Sequence, residues 1–225
     1  MMVVSLLVTW FGYQVGVWLA KRTKLPLINP VVVGATIVLL YLRFGHVPYT
    51  LFKQHTSIIT FALGPAVVAL ALPLHERVGI LKQNRSSVLS GVAACALFTI
   101  IGGLIAGKLI NISPDFTFAL AARSLTSAIA ISSALGSHHA PVLAGATAIL
   151  AGMIGGTIGP WLLDRFQVTS PVARGLAMGT VSGGIGTARI LKESEEAGAA
   201  GALGMCLNGV LTSALLAIFW RYCEG

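Results

Sequence analysis

Two stretches of sequence decide what kind of fold this chain can adopt. Residues 87–107 (SVLSGVAACALFTIIGGLIAG) contain no charged side chain, and residues 141–163 contain none before Asp164. A helix needs about 20 apolar residues to cross a hydrocarbon core of about 30 Å, and both runs reach that length. Charged residues make up only 10% of the 225, against roughly 25% in soluble domains. Mean hydropathy is +0.86. The expectation is an integral protein of the lipid bilayer.

The same reading along the chain predicts eight membrane segments: 2–20, 30–42, 57–74, 87–107, 116–136, 141–163, 171–191 and 198–220. The ten-residue alternation of a membrane β-barrel is missing from the sequence. The fold class expected is therefore all-α, a polytopic helical membrane protein forming one domain over 1–225. The N-terminal stretch lacks a basic region ahead of its apolar run and a small-residue cleavage site, so it reads as a retained first span.

The net charge of +8 does not point to nucleic acid. Basic residues sit in short loops beside apolar runs, as in KRTK (21–24) and HERVGILKQNR (75–85), which is the pattern of the positive-inside rule. Cys95, Cys206 and Cys223 are isolated, so neither a disulfide framework nor a metal site is expected. No sequence motif calls for a cofactor. The sequence has no Gly-x-Ser-x-Gly elbow and no His-Glu-x-x-His, and its seven carboxylates lie in loops or at span ends. An enzyme is not expected, nor is an exchanger that relays ions through a mid-span acid.

An internal repeat is visible. NPVVVGATIVLL (29–40) aligns with APVLAGATAILA (140–151), and ALGPAVVALALPL (62–74) aligns more weakly with AMGTVSGGIGTAR (177–189). Repeat 1 would cover about 1–110 and repeat 2 about 115–225. Eight full crossings would make the repeats parallel. An inverted pair needs one segment to re-enter, and 57–74 and 116–136 are the candidates. The basic loops leave the orientation open: KRTK and HERVGILKQNR favour one side, LRFGHVPYTLFK and the loop with Arg165 and Arg174 the other.

Residues able to handle a polar solute fall in three places. FALGPAVVALALPL (61–74) carries Gly64, Pro65 and Pro73, and GTVSGGIGTARIL (179–191) carries four glycines with Thr180, Ser182 and Thr187. Both can break a helix, and backbone groups freed at membrane depth are tolerated only where they are buried or line a cavity. Between them, Arg123 lies inside an apolar segment and Arg189 at the end of another. A guanidinium there faces protein or water and matches a carboxylate as a bidentate partner. Arg189 equally suits snorkelling to the interface, and Arg123 equally suits capping a helix C-terminus. Asn208 reads as interhelical glue. His138 and His139 read as a solvated turn pair.

PAVVALALPL (65–74), SLTSAIA (124–130) and above all SPVARGLAMGTVSGGIGTAR (170–189) resemble the LrgB/CidB family of bacterial membrane proteins, with LPLINPVVVG (25–34) fitting its beginning. That resemblance implies a multi-pass protein of the bacterial cytoplasmic membrane. The family is described both as holin-like modulators of autolysis and as carriers of small organic acids, and the plastid glycolate/glycerate translocator contains a related domain. A small LrgA/CidA-type membrane protein is the partner it implies. Two departures stand out. Gly183 occupies a position where the family usually has histidine, and Arg123 and Ala128 stand where it commonly has lysine and proline. A proton-coupling role for that histidine does not carry over.

Together these readings predict a secondary carrier of small monocarboxylates working by alternating access, in a homodimer. The expected binding residues are Pro65, Ala66, Arg123, Ser124, Thr126, Ser182, Gly183, Gly184, Thr187 and Arg189. The alternative is a holin- or antiholin-like protein that modulates murein hydrolase export and autolysis with its LrgA/CidA-type partner.

Overall fold

In the computed structural model, residues 2–23, 30–59, 61, 62, 65, 75, 79, 85–137 and 139–223 are described, the last three without their side chains. Every regular element among them is helical: α1 (Met2–Thr23), α2 (Pro30–Phe44), α3 (Tyr49–His55), α4 (Arg85–Ile110), α5 (Pro114–Ala121), α6 (Ser127–Gly136), α7 (Pro141–Arg165), α8 (Pro171–Ile190) and α9 (Glu195–Cys223). Four are long and apolar enough to cross a membrane: α1, α4, α7 and α9, the last counted to Trp220. Ala66 and most of segment 57–74 lie outside the described residues.

Local chemistry sets the helix starts. Proline opens α5, α7 and α8, where its missing N–H costs nothing and its fixed φ suits a helix. Ser113, Thr126, Ser170 and Ser194 accept from the backbone N–H three residues on, capping α5, α6, α8 and α9.

The chain divides into two compact units, Met1–Leu70 and Ala71–Gly225. In the first, α1 and α2 approach so closely that a Cβ on Gly16 would lie 2.8 Å from Pro30 Cα. Ser5, buried on α1, reaches His55 Nδ1 at 3.3 Å.

The second unit is organised by α7. Asp115, in the first turn of α5, accepts from the Ala140 backbone N–H at 3.2 Å, so α5 begins beside the start of α7. Residue 136, which ends α6, is also at that end, only five positions before Pro141. Laid end to end, α5, the link 122–126 and α6 would cover about 30 Å. The chain must therefore go in along α5 and return along α6. Thr147, further along α7, donates to the Ala119 carbonyl at 3.1 Å on the inward arm. On the return arm, Ile131 packs where a Cβ on Gly145 would stand. Segment 116–136 is thus a helical hairpin.

A second hairpin stands at the other end of α7. Arg174 donates to Asp164 near the end of α7 at 2.7 Å and to Glu193 at 2.8 Å. Arg174 and Glu193 are nineteen positions apart, which a straight helix would stretch to about 28 Å. The reversal falls at Gly183, with φ 53° and ψ −136°. Arm 184–190 folds back on arm 171–182 so tightly that a Cβ on Gly186 would overlap the Met178 carbonyl oxygen. Segment 171–191 was expected to make a single crossing with several glycines unwound. Instead it stays helical except at Gly183 and turns back there, since glycine alone takes that φ/ψ without strain.

Helix α9 receives both arms on small residues. Gly175 and Gly179 of the inward arm lie against Ala197, Ala200 and Gly201, while Ile190 of the returning arm touches Gly201. The core of the unit gathers Ile100, Phe118, Ala121, Ala130, Leu216 and Trp220. A second cluster joins Val88 and Val92 of α4 to Val172 and Leu176 of α8. It places the Arg85 end of α4 at the same end as Arg165 and Arg174. The Arg85 end of the 75–85 loop and the loop with Arg165 and Arg174, expected on opposite sides, are therefore at one end, because the α5–α6 hairpin between α4 and α7 adds no crossing.

Candidate functional site

The two hairpins enter along α7 from opposite ends, and their tips meet. A Cβ on Gly183 would stand 3.8 Å from Thr126 Cγ2, and Gly152, near the middle of α7, faces the Ser182 carbonyl oxygen at 3.2 Å from its Cβ position. Ser124, Thr126, Ser182, Gly183 and Thr187 are thereby brought into one region.

Each tip is built from ends of short helices. In the first, α5 ends at Ala121 and α6 starts at Ser127, capped by Thr126 Oγ1 at 3.4 Å from the Ile129 nitrogen. The N-terminal end of α6, with its partial positive charge, therefore points into the meeting region. Arg123 is half-buried in the link, and its Nη1 donates to the carbonyls of Leu120 at 2.7 Å and Thr99 at 3.3 Å. The first of these bonds caps the C-terminus of α5. Nε and Nη2 make no hydrogen bond among the described residues.

In the second tip, Thr187 is buried and donates to the Gly183 carbonyl at 2.9 Å, holding the turn from the returning arm. Ser182 is 4% exposed and its hydroxyl has no hydrogen-bond partner among the described residues. It fills the space that a side chain on Gly155 would need. Gly184 is exposed.

Of the other expected residues, one lies away from this region and one falls in the first unit. Arg189 is near the base of the α8 hairpin, exposed, with Nη1 3.5 Å from Glu193. Pro65 belongs to the first unit and is exposed.

The structure adds residues that the sequence gave a lesser part. Asn208, in the middle of α9, donates from Nδ2 to the Ser124 carbonyl at 3.0 Å, the Ser124 hydroxyl at 3.3 Å and the Thr180 carbonyl at 3.1 Å. Ser124 and Thr180 lie 84 and 28 positions away, so no spacing rule could have connected them. His139 is not a solvated turn residue. Its ring stacks on Phe118 at 4.8 Å and meets Trp220 edge-on at 4.7 Å, with Nδ1 2.8 Å from Asp115. That hydrogen bond, and then the one from Ala140 N–H, hold the Asp115 carboxyl below the usual carboxylate range. The described residues contain no group of three or more His, Cys, Asp or Glu suited to a metal ion.

Long apolar helices, with short helices paired between them, define a helical membrane protein. Within that class the chain belongs to the LrgB-like family, whose model matches residues 9–222. It is 31% identical over 211 residues to the uncharacterized protein YxaC of Bacillus subtilis, covering 94% of this chain and 92% of that one. It is 27% identical over 219 residues to the antiholin-like protein LrgB of Bacillus cereus, covering 97% and 95%. An uncharacterized protein of Haemophilus influenzae is 27% identical over 207 residues, covering 92% and 90%. No solved structure matches the chain.

Proposed function

We propose that this protein carries small monocarboxylates of the pyruvate, glycolate, glycerate or lactate type across the bacterial cytoplasmic membrane by alternating access. The observation that carries this reading is the meeting of two hairpin tips entered from opposite ends of α7. Half-helices that stop at membrane depth leave backbone groups unpaired where a solute can use them, and such backbone is tolerated only in protein or beside a water-filled cavity.

The chemistry around the tips suits an anion. The α6 N-terminus brings partial positive charge, and among the described residues Arg123 Nε and Nη2 and the Ser182 hydroxyl have no hydrogen-bond partner. Arg123, Ser124, Thr126, Ser182, Gly183 and Thr187 are the binding residues in this reading. Arg189 acts at the hairpin base instead. The charge distribution also supports an orientation. Arg85, Arg165, Arg174 and Lys192 gather at the end where the α8 hairpin enters, so that end is cytoplasmic under the positive-inside rule. Alignment of 29–40 with 140–151 puts Pro30 and Pro141 at the same place in the two repeats, each opening a helix. The weaker alignment of 62–74 with 177–189 follows in the same order, and the carrier in this reading is a homodimer.

Uptake of radiolabelled carboxylates into proteoliposomes tests the reading. Wild-type protein should accumulate label against an empty-vesicle control, and Arg123→Ala should lower uptake at least tenfold. Uptake equal to the control overturns carriage, and uptake by Arg123→Ala equal to wild type overturns the site.

The second reading rests on the name of the Bacillus cereus relative. An antiholin-like protein would modulate autolysis through an LrgA/CidA-type partner, without flux through the purified chain. Deleting the gene would then alter autolysis only when that partner is present.

A further inference from the structure

We propose that Asn208 is a positioning residue that couples the two hairpin tips, so that neither moves without the other. The inference rests on the carriage reading and deepens it.

The last carbonyls of a helical arm have no partner within the helix. Thr180 lies at the inner end of arm 171–182, and Ser124 lies in the link between α5 and α6. At membrane depth their carbonyl oxygens need a donor from elsewhere in the protein. Asn208 supplies it to both. Its Nδ2 is 3.0 Å from the Ser124 carbonyl oxygen and 3.1 Å from that of Thr180. Its Oδ1 accepts from Thr212 Oγ1 at 2.9 Å, which fixes which end of the amide faces the tips. Asn208 is 1% exposed and Thr212 fully buried, so water has no room to substitute.

Among the described residues this is the one polar link between the tips. Their other close approach, Gly183 against Thr126, is van der Waals contact. An asparagine amide has two N–H groups, and each tip takes one. Withdrawing either tip leaves a buried donor and a buried carbonyl unpaired at once, which disfavours states with only one tip displaced. Alternating access requires that property, since two tips moving independently would open a continuous path.

Exchange and net flux separate coupling from mere stability. In proteoliposomes carrying radiolabelled glycolate, wild-type protein should exchange label against internal glycolate several-fold faster than it moves label into empty vesicles. Asn208→Ala should bring that ratio to about one, with KM for glycolate within about twofold of wild type. A variant that is only less stable loses both rates together and keeps the ratio, which overturns the inference. Hydrogen exchange on the purified protein gives an answer that needs no flux. In Asn208→Ala, amides of 122–126 and of 182–184 should both exchange about tenfold faster, and acceleration in one tip only, or in neither, overturns the coupling. Should Asn208→Ala fail to fold, Asn208→Asp retains the size while replacing the donating nitrogen with oxygen, and is read in the same way. If wild-type vesicles carry no carboxylate, carriage fails while hydrogen exchange still decides whether Asn208 links the tips.

Discussion

Arg174 Nη2 lies 2.8 Å from Glu193 Oε2, although nineteen positions separate the two residues in a segment that is helical at all but one of its positions from Pro171 to Ile190. Their contact is possible only because the helix turns back at Gly183. The pair closes the mouth of the hairpin, and Asp164 ties that mouth to the end of α7. Arg174→Ala should therefore loosen the whole segment rather than one bond. Hydrogen exchange across 171–190 should accelerate, while exchange across 127–136 in the other hairpin stays as in wild type.

Gly183 should tolerate no side chain. Its φ of 53° with ψ of −136° lies outside the regions open to other residues. The nearest atom to an added Cβ is 3.8 Å away, so the penalty is backbone strain rather than collision. Gly183→Ala should lower stability by about 1–3 kcal/mol in detergent unfolding. Gly184→Ala, with Met205 Sδ 3.9 Å from its Cβ position, should change it little.

Close packing on α9 gives a second stability test. A Cβ on Gly179 would overlap the Gly201 carbonyl oxygen, whereas one on Gly91 would meet nothing within 4 Å. Gly179→Ala should destabilise by about 1–3 kcal/mol through overpacking, and Gly91→Ala should fall within about 0.5 kcal/mol of wild type. Chemical unfolding in mixed micelles measures both.

Asp115 predicts an acid-side effect. Its folded pKa is held below its unfolded value of about 3.9, first by the His139 hydrogen bond and then by Ala140 N–H. A carboxylate shifted in that direction adds stability above the unfolded pKa, and the contribution disappears as pH falls through the folded value. Melting temperature should therefore drop more steeply below about pH 4 in wild type than in Asp115→Asn. Parallel curves would remove Asp115 as a contributor.

Topology can be read directly by labelling. In a background without native cysteines, Gln167→Cys sits in the turn after α7 and Ser137→Cys in the turn before it. A membrane-impermeant maleimide should label Ser137→Cys on intact cells and Gln167→Cys only in inverted vesicles. The reverse pattern would overturn the orientation proposed from the basic residues.

Part of this arrangement was legible in the sequence. Charge-free runs revealed the long helices α4 and α7, and glycine with small hydroxylated residues marked 179–191 as unusual. Segment 116–136 was already a candidate for re-entry. The direction of chain after each break was not legible, because it depends on contacts such as Asp115 with Ala140 and Arg174 with Glu193, which join distant positions. Composition also overstated the glycines. Four in 179–191 suggested general unwinding, yet Gly179 and Gly186 serve close packing and only Gly183 needs its conformational freedom. Asn208 was invisible as a link for the same reason as the hairpins, since its partners are set by how the tips meet.

The order of assembly follows from the arm lengths. Arm 171–182 covers about 18 Å and arm 184–190 about 11 Å, so neither can span a hydrocarbon core of about 30 Å alone. Helices α7 and α9 are each long enough to insert independently. The α8 hairpin, tethered between them, has no stable place in lipid until the glycine face of α9 is there to receive it. Assembly of this unit is thus expected to run from the spanning helices to the hairpins, and a lesion at Gly201 is expected to leave an inserted but unfinished protein.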